Sequence, residues 1–268
     1  MPRIIEERDT VSVPISERND YVIHLKYAHC LAIWSKGLTI ASPLPRHPKA
    51  DLKLIENKAH LMELTRQSIR DDFAIVMEDP EYSLASVLWL PSKSYYLLYH
   101  LVCVIEYVLT CDPFWIRNSH KQCLARFISR LRNGNLVFSC GQFNEIFDKA
   151  ILDYKSRPGE ILRTDVADDV IHRLLMKKVA KYKIEDDSRQ INRKTKTGRQ
   201  KYNTAVSRIE ISILDFFYSM RIKSAYKNFS FVDGIEADGT KQYFERYYEL
   251  TENFYECLNN LKNDLIVT

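Results

Sequence analysis

The sequence predicts an all-α protein: an up-and-down helical bundle with an N-terminal helical extension and a long charged insertion. Apolar residues recur at three- and four-residue intervals through most of the chain, which is the pattern of a helix with one buried face. Only seven glycines and nine prolines occur in 268 residues, too little punctuation for the frequent turns of an all-β fold. Hydrophobic residues at 46% and charged residues at 28% can bury a core and exclude wholesale disorder. The pattern separates an N-terminal arm and helix, residues 1–54, from a bundle over 55–268, with a basic loop at about 184–203.

Residues up to about Arg18 mix charged and β-branched residues without a helical period and are expected to form an arm with at most one short strand. A first helix follows from Asp20 to Lys36, with Tyr21, Leu25, Ala28, Leu31 and Ala32 as its apolar stripe and Gly37 as its stop. Pro43, Pro45 and Pro48 then enforce a loop. The next helix spans Leu52 to about Val76, with Leu54, Leu61, Leu64, Ile69 and Phe73 expected to face inward, and Asp79-Pro80 ends it. From Tyr82 to Leu109 the chain is apolar nearly all round, which marks a central helix or helix pair, with a fresh start or kink at Pro91-Ser92. Amphipathic segments at Ser119–Leu131 and Ser139–Lys155 flank the turn Asn133-Gly134-Asn135. A helix from about Val166 to Tyr182 leads into the insertion, and a helical hairpin, Tyr202–Phe229 and Lys241–Ile266, closes the chain.

Composition constrains function only loosely. A net charge of +4 is too small to demand a nucleic-acid partner, yet the positive charge is uneven. Arg189, Arg193, Lys194, Lys196, Arg199 and Lys201 follow one another without an acidic residue between them. Such a run is either a solvated linker or a contact for a phosphate backbone, where neutralising each phosphate releases counterions. The six cysteines have neither zinc-finger nor redox spacing, so free thiols in a reducing cytoplasm are expected. The N-terminus lacks the apolar core of a secretory signal. The longest apolar run, Tyr95–Leu109, is broken by His100 and Glu106 and falls short of the ~20 residues that span a bilayer. No membrane association, metal or cofactor is expected, because no His, Cys or carboxylate set has ligand spacing and no glycine-rich phosphate loop occurs.

The strongest chemical signal lies late in the chain, where an apolar run from Ile209 to Met220 passes into Arg221-Ile222-Lys223-Ser224-Ala225-Tyr226. At ~100° per residue, Arg221 and Tyr226 would lie roughly 140° apart on one helix and flank a groove. A guanidinium presents a planar fork of donors and a phenol adds a donor or a stacking face, so a phosphate-bearing ligand suits the pair. Two histidines are auxiliary candidates. His100 follows Tyr96 by one turn on the most apolar segment, where a hydrogen-bonded core role competes; His120 stands at a helix start beside Ser119, where capping competes.

The segment Phe216-Phe217-Tyr218-Ser219-Met220-Arg221-Ile222-Lys223-Ser224-Ala225-Tyr226-Lys227-Asn228-Phe229 resembles the signature helix of HEPN domains (higher eukaryotes and prokaryotes nucleotide-binding), in the branch associated with nucleotidyltransferases. Ser94-Tyr95-Tyr96-Leu97-Leu98-Tyr99-His100-Leu101 resembles the aromatic and histidine stretch of that family's early core helix, and Ser119-His120-Lys121 falls where a Lys/His turn opens the next helix. The resemblance covers roughly Ile55 to Val267. It implies a homodimer paired through the signature helix, RNA or a nucleotide as ligand, and a role in microbial defence or a toxin–antitoxin system beside a partner nucleotidyltransferase or other defence protein. It also implies metal-independent endoribonuclease chemistry with Arg221 and Tyr226 as the catalytic pair, and Lys223 and Asn228 lining the groove together with the basic run. One departure stands out: family ribonucleases carry histidine where this chain has Tyr226. A phenol that titrates near ~10 is poorly poised as a base at neutral pH. Two other readings follow from the same helix, a non-catalytic dimerisation or assembly module and a nucleotide-binding sensor.

Overall fold

A computed structural model describes residues 28, 31–32, 35–36, 38–140, 151–153, 191–208, 210–222, 224 and 237–267. These are mostly helical. In chain order they form β1 (Leu38–Ala41), α1 (Lys53–Glu78), α2 (Pro80–Ser86), α3 (Leu90–Thr110), a 3-10 turn (Phe114–Ile116), α4 (His120–Arg132), β2 (Val137–Cys140), β3 (Ile151–Asp153), α5 (Lys196–Arg208), β4 (Glu210–Ser212), α6 (Ile213–Ile222) and α7 (Ala237–Val267). No helix among the described residues is long and apolar enough to cross a membrane.

Helix α3 is the axis of the packing, with α1, α4, α6 and α7 laid against it. Its sequence dictates that place. Every residue from Leu101 to Leu109 is buried, as a helix that is apolar all round requires. Pro91 sits in the first turn, where a missing amide costs nothing, and Cys111 closes the helix in a left-handed conformation at φ 56°. Asp79 acts at two boundaries, ending α1 in an extended conformation and accepting from Glu81 N to cap α2. The α3–α7 seam also carries polar ties: Thr251 Oγ1 donates to Ser94 Oγ at 2.9 Å inside the core. Ala28, Leu31, Ala32 and Ser35 are helical and buried, and Asn253 Nδ2 of α7 reaches Ala32 O (3.0 Å) and Ser35 Oγ (2.9 Å), tying this segment to the bundle.

Helix α1 corrects the expected inward face in part: Ile69 is buried and Phe73 packs against the core as expected, but the leucines are not inward. Ile55, Met62, Ile69 and Val76 are buried, a strict seven-residue spacing. Leu54, Leu61 and Leu64 are instead 45%, 44% and 55% exposed. The stripe that packs on α3 lies one residue around from the one with the most leucines, and Lys58, Arg66 and Asp72 on α1 find their partners on α3 and α7.

Two short antiparallel ladders supplement the helices, and both overturn a helical expectation. β1 pairs with β2 from Leu38↔Cys140 to Ala41↔Val137, and β3 with β4 from Ile151↔Ser212 to Asp153↔Glu210. Both ends of the segment expected as a helix over Ser139–Lys155 are therefore strand. The expected single helix Tyr202–Phe229 likewise divides into α5, β4 and α6. Its alternation Ile209-Glu210-Ile211-Ser212-Ile213 has period two and β-branched residues, which suit a pleated strand better than a helix. The expected helix at 166–182 lies outside the described residues.

Candidate anion-binding cleft

Three helices bring the site together. The first turn of α4 is fixed by a capping box, in which Ser119 Oγ accepts from Gln122 N (3.3 Å) and Gln122 Oε1 accepts from Ser119 N (2.8 Å). His120 and Lys121 are thereby fixed as the first helical residues, at the positive end of the helix dipole. Helix α6 carries Tyr218 and Arg221 on one face three residues apart, and α3 supplies Tyr95, Tyr96, Tyr99 and His100. Tyr96, Ser119, His120, Lys121, Tyr218 and Arg221 line a cleft of about 410 Å³, within the roughly 300–1,000 Å³ usual for ligand sites.

Arg221 is held by aromatic groups rather than by charge. Its Nη2 donates to Tyr96 Oη at 3.1 Å, and its guanidinium carbon lies 5.1 Å from the ring centroids of both Tyr95 and Tyr96, a cation–π arrangement. Among the described residues no carboxylate pairs with it. Its positive charge is therefore available to an anion.

His120 is equally well located. Its Nδ1 lies 3.1 Å from Tyr95 Oη, and its ring stacks on Tyr99 with centroids 3.9 Å apart and planes 20° from parallel. Tyr99 in turn donates to Cys123 Sγ at 3.7 Å, which fixes the ring beneath the imidazole. Burial lowers the His120 pKa, and the cations Arg221 and Lys58 lower it further, so the imidazole is neutral at physiological pH. Burial, with Lys58 and His120 adding to it, drives His100 down to about 4. Burial pushes the Tyr95 phenol well up, against the pull of Arg221, and it remains protonated. Lys58 completes the cluster from α1: its Nζ is 3.3 Å from His100 Nδ1 and 4.9 Å from the Trp115 ring centroid, and burial lowers its pKa.

A scan against protein-family models and searches of curated proteins and of solved structures returned no match.

The structure thus brings together residues from all three sequence patches. Arg221, His120 and Tyr96 share the cleft, while His100 belongs to the adjoining aromatic cluster and contacts Lys58. Tyr226, Lys223, Asn228 and Arg189 lie outside the described residues. Of the remaining basic residues, Arg193 and Lys194 lie in the turn before α5, whereas Lys196, Arg199 and Lys201, expected in a loop, are on α5. Thr195 Oγ1 caps it by accepting from Gly198 N at 3.0 Å, and Asn192 Oδ1 accepts from Lys194 N at 3.0 Å. Arg193, Lys194, Lys196, Arg199 and Lys201 are exposed there, and Arg193 lies 4.9 Å over the Tyr202 ring. None of the five lines the cleft. Sequence reading gave no role to Tyr218, Lys58 or the Tyr95–His120 pair. Tyr218 had a local signal, one helical turn before Arg221. Lys58 and the pairing had none, since their partners are 42 and 25 residues away.

Proposed function

We propose that the protein is an RNA-associated, HEPN-like protein of a microbial defence or toxin–antitoxin system, which holds an RNA phosphate at Arg221. The observation that carries this reading is the uncompensated guanidinium of Arg221 at a cleft shared with His120, Lys121 and the N-terminus of α4. The cationic side chains of Arg221 and Lys121 and the positive end of the α4 dipole favour an anion, and no acidic side chain is among the described residues that line the cleft. Tyr96 and Tyr218 make the lining aromatic as well as cationic, a combination suited to single-stranded RNA with its unpaired bases. In this reading the helices around α3 form a HEPN-like up-and-down bundle, α6 is the signature helix, and two protomers pair through it. The exposed cations of α5 add a second, sequence-independent phosphate contact. A partner nucleotidyltransferase would act on the same system.

The test is binding of labelled single-stranded RNA by the wild type and by Arg221→Ala. Affinity should fall with the substitution and with added salt, while melting temperature and oligomeric state stay put. RNA binding that is indifferent to Arg221 would remove the cleft from the proposal.

One observation favours a second reading, a non-catalytic assembly module. Leu54, Leu61, Leu64 and Ile75 expose apolar surface along α1, and Trp89 is 65% exposed, which is unusual for a large aromatic side chain unless a partner covers it. Under this reading Arg221→Ala leaves every chemical property unchanged, and substitution of Leu61 and Leu64 by Glu dissolves an assembly.

A further inference from the structure

We propose, resting on the RNA-binding reading above, that His120 on α4 is the proton-transfer group of this cleft, taking the proton of a 2′-hydroxyl as it attacks the neighbouring phosphate held by Arg221. The role that the signature helix leaves without a histidine is thereby filled from a different helix, and Tyr226 is not needed for it.

Three features of the geometry converge on His120. Its imidazole lines the same cleft as Arg221. Its ring is immobilised on both sides that could turn it, by the stack on Tyr99 at 3.9 Å and the bond to Tyr95 Oη at 3.1 Å. That bond engages Nδ1, so Nε2 is the nitrogen left for a ligand. In the tautomer whose Nδ1–H donates to the Tyr95 oxygen, Nε2 carries the lone pair that accepts a proton. Tyr95 is thus a positioning residue, in the way that a second group orients a catalytic imidazole elsewhere.

The reaction is an internal transesterification. The 2′-oxygen forms a bond to phosphorus as its proton passes to His120 Nε2. The P–O5′ bond breaks, and the departing 5′-oxygen takes a proton from water. The products are a 2′,3′-cyclic phosphate and a free 5′-hydroxyl, and the imidazolium then returns its proton to solvent. Arg221 and the positive end of the α4 dipole stabilise the charge that builds on the phosphoryl oxygens. The groups that face His120 from the surrounding elements are Arg221 of α6, Lys58 of α1 and Tyr95, Tyr96 and Tyr99 of α3. The cations keep the imidazole in its base form.

The experiment uses the full chain and a fluorescent single-stranded RNA, with binding and cleavage measured side by side for the wild type, His120→Gln, Tyr95→Phe, Arg221→Ala and Tyr226→Phe. The expected result is cleavage to cyclic-phosphate ends, loss of at least about a hundredfold in rate for His120→Gln, affinity within about threefold of wild type, and less than a tenfold change for Tyr226→Phe. A 2′-deoxy substitution at the scissile position should leave that bond intact. The wild-type rate should rise with pH to a plateau, with its midpoint below the ordinary histidine value of about 6.5; Tyr95→Phe, which frees the tautomer, should lower the rate and move that midpoint. Should His120→Gln lose its cooperative melting transition, chemical rescue of His120→Ala by added imidazole takes its place. RNA that binds but is not cut, or that is cut equally well by His120→Gln or at a deoxy position, overturns the assignment and leaves the binding reading standing. Absence of RNA binding by the wild type overturns both.

Discussion

Helix α3 meets arginine near both ends, and the two ends treat it differently. Toward the C-terminal end, Glu106 lies 2.6 Å from Arg130 Nε and 3.1 Å from Arg126 Nε, and Asp112 takes a second contact with Arg126 at 2.8 Å. The Glu106 side chain is only 5% exposed; burial raises its pKa and the two guanidiniums work against that rise. Charge is cancelled in place, so this end is a strut between α3 and α4. Toward the N-terminal end, among the described residues Arg221 meets the phenol of Tyr96 and the rings of Tyr95 and Tyr96 and no carboxylate. The same residue type packs on the same helix, but its charge is left to face a cleft. An ion pair closed inside the protein speaks for architecture, whereas a buried-edge cation held by neutral acceptors speaks for a ligand.

The largest effect should come from the closed end. Glu106→Ala leaves two part-buried guanidiniums facing apolar helix and should cost about 3–5 kcal/mol of stability, read from urea unfolding; a loss below that of an exposed pair would erase the contrast between the two ends. Arg221→Ala should cost little stability but weaken RNA binding about 10- to 100-fold, the worth of a charge-assisted phosphate contact. A stability loss comparable to that of Glu106→Ala would recast Arg221 as a strut. His100 tests the open end through pH. Its folded-state pKa of about 4 lies below the unfolded value, so its contribution is fully present above about pH 6.5 and is lost as pH falls through 4, to a total of about 2 kcal/mol after allowance for partial exposure. His100→Gln should remove that slope from a series of unfolding curves, and an unchanged slope would show that the imidazole is not held neutral. The smallest effect belongs to α5: reversal of Arg193, Lys194 and Lys196 to Glu should flatten the salt dependence of RNA binding by about 0.7 per lost phosphate contact. A slope that stays the same would confine binding to the cleft.

Much of the helical architecture was legible. The apolar density of Tyr95–Leu109 marked the central helix, Ser119 marked the start of α4, and Asn133-Gly134-Asn135 marked its end, where Gly134 takes a φ of 71°. What failed were choices that local pattern leaves degenerate. On α1 a stripe of Leu54, Leu61 and Leu64 competes with Ile55, Met62 and Ile69, and helix geometry alone accepts either. At Val137–Cys140 and Ile151–Asp153 a strand forms because distant segments supply the ladder partners, and pairing over such separations leaves no trace in a local window. The basic run was equally ambiguous. Asn192, Thr195 and Gly198 make it the capped start of a helix, and a β-carbon at position 198 would sit 1.8 Å from Asn192 O.

For the site, Arg221, His120 and the basic residues were each candidates from sequence, but the association of Arg221 and His120 with Tyr95 and Tyr96 was not. His120 sits 25 residues from Tyr95, and Arg221 sits 125 from Tyr96. Sequence by itself determined the mostly helical character, the bounds of elements that carry clear caps and turns such as α4, and which side chains have the chemistry to meet a phosphate, because these are properties of neighbours along the chain. Only the tertiary structure decided which face is buried, which arginine has its charge cancelled and which histidine shares a cleft with a free guanidinium. Those outcomes depend on what the packing of separate helices places within a few ångströms, and electrostatics and hydrogen bonding act over that distance whatever the separation in sequence.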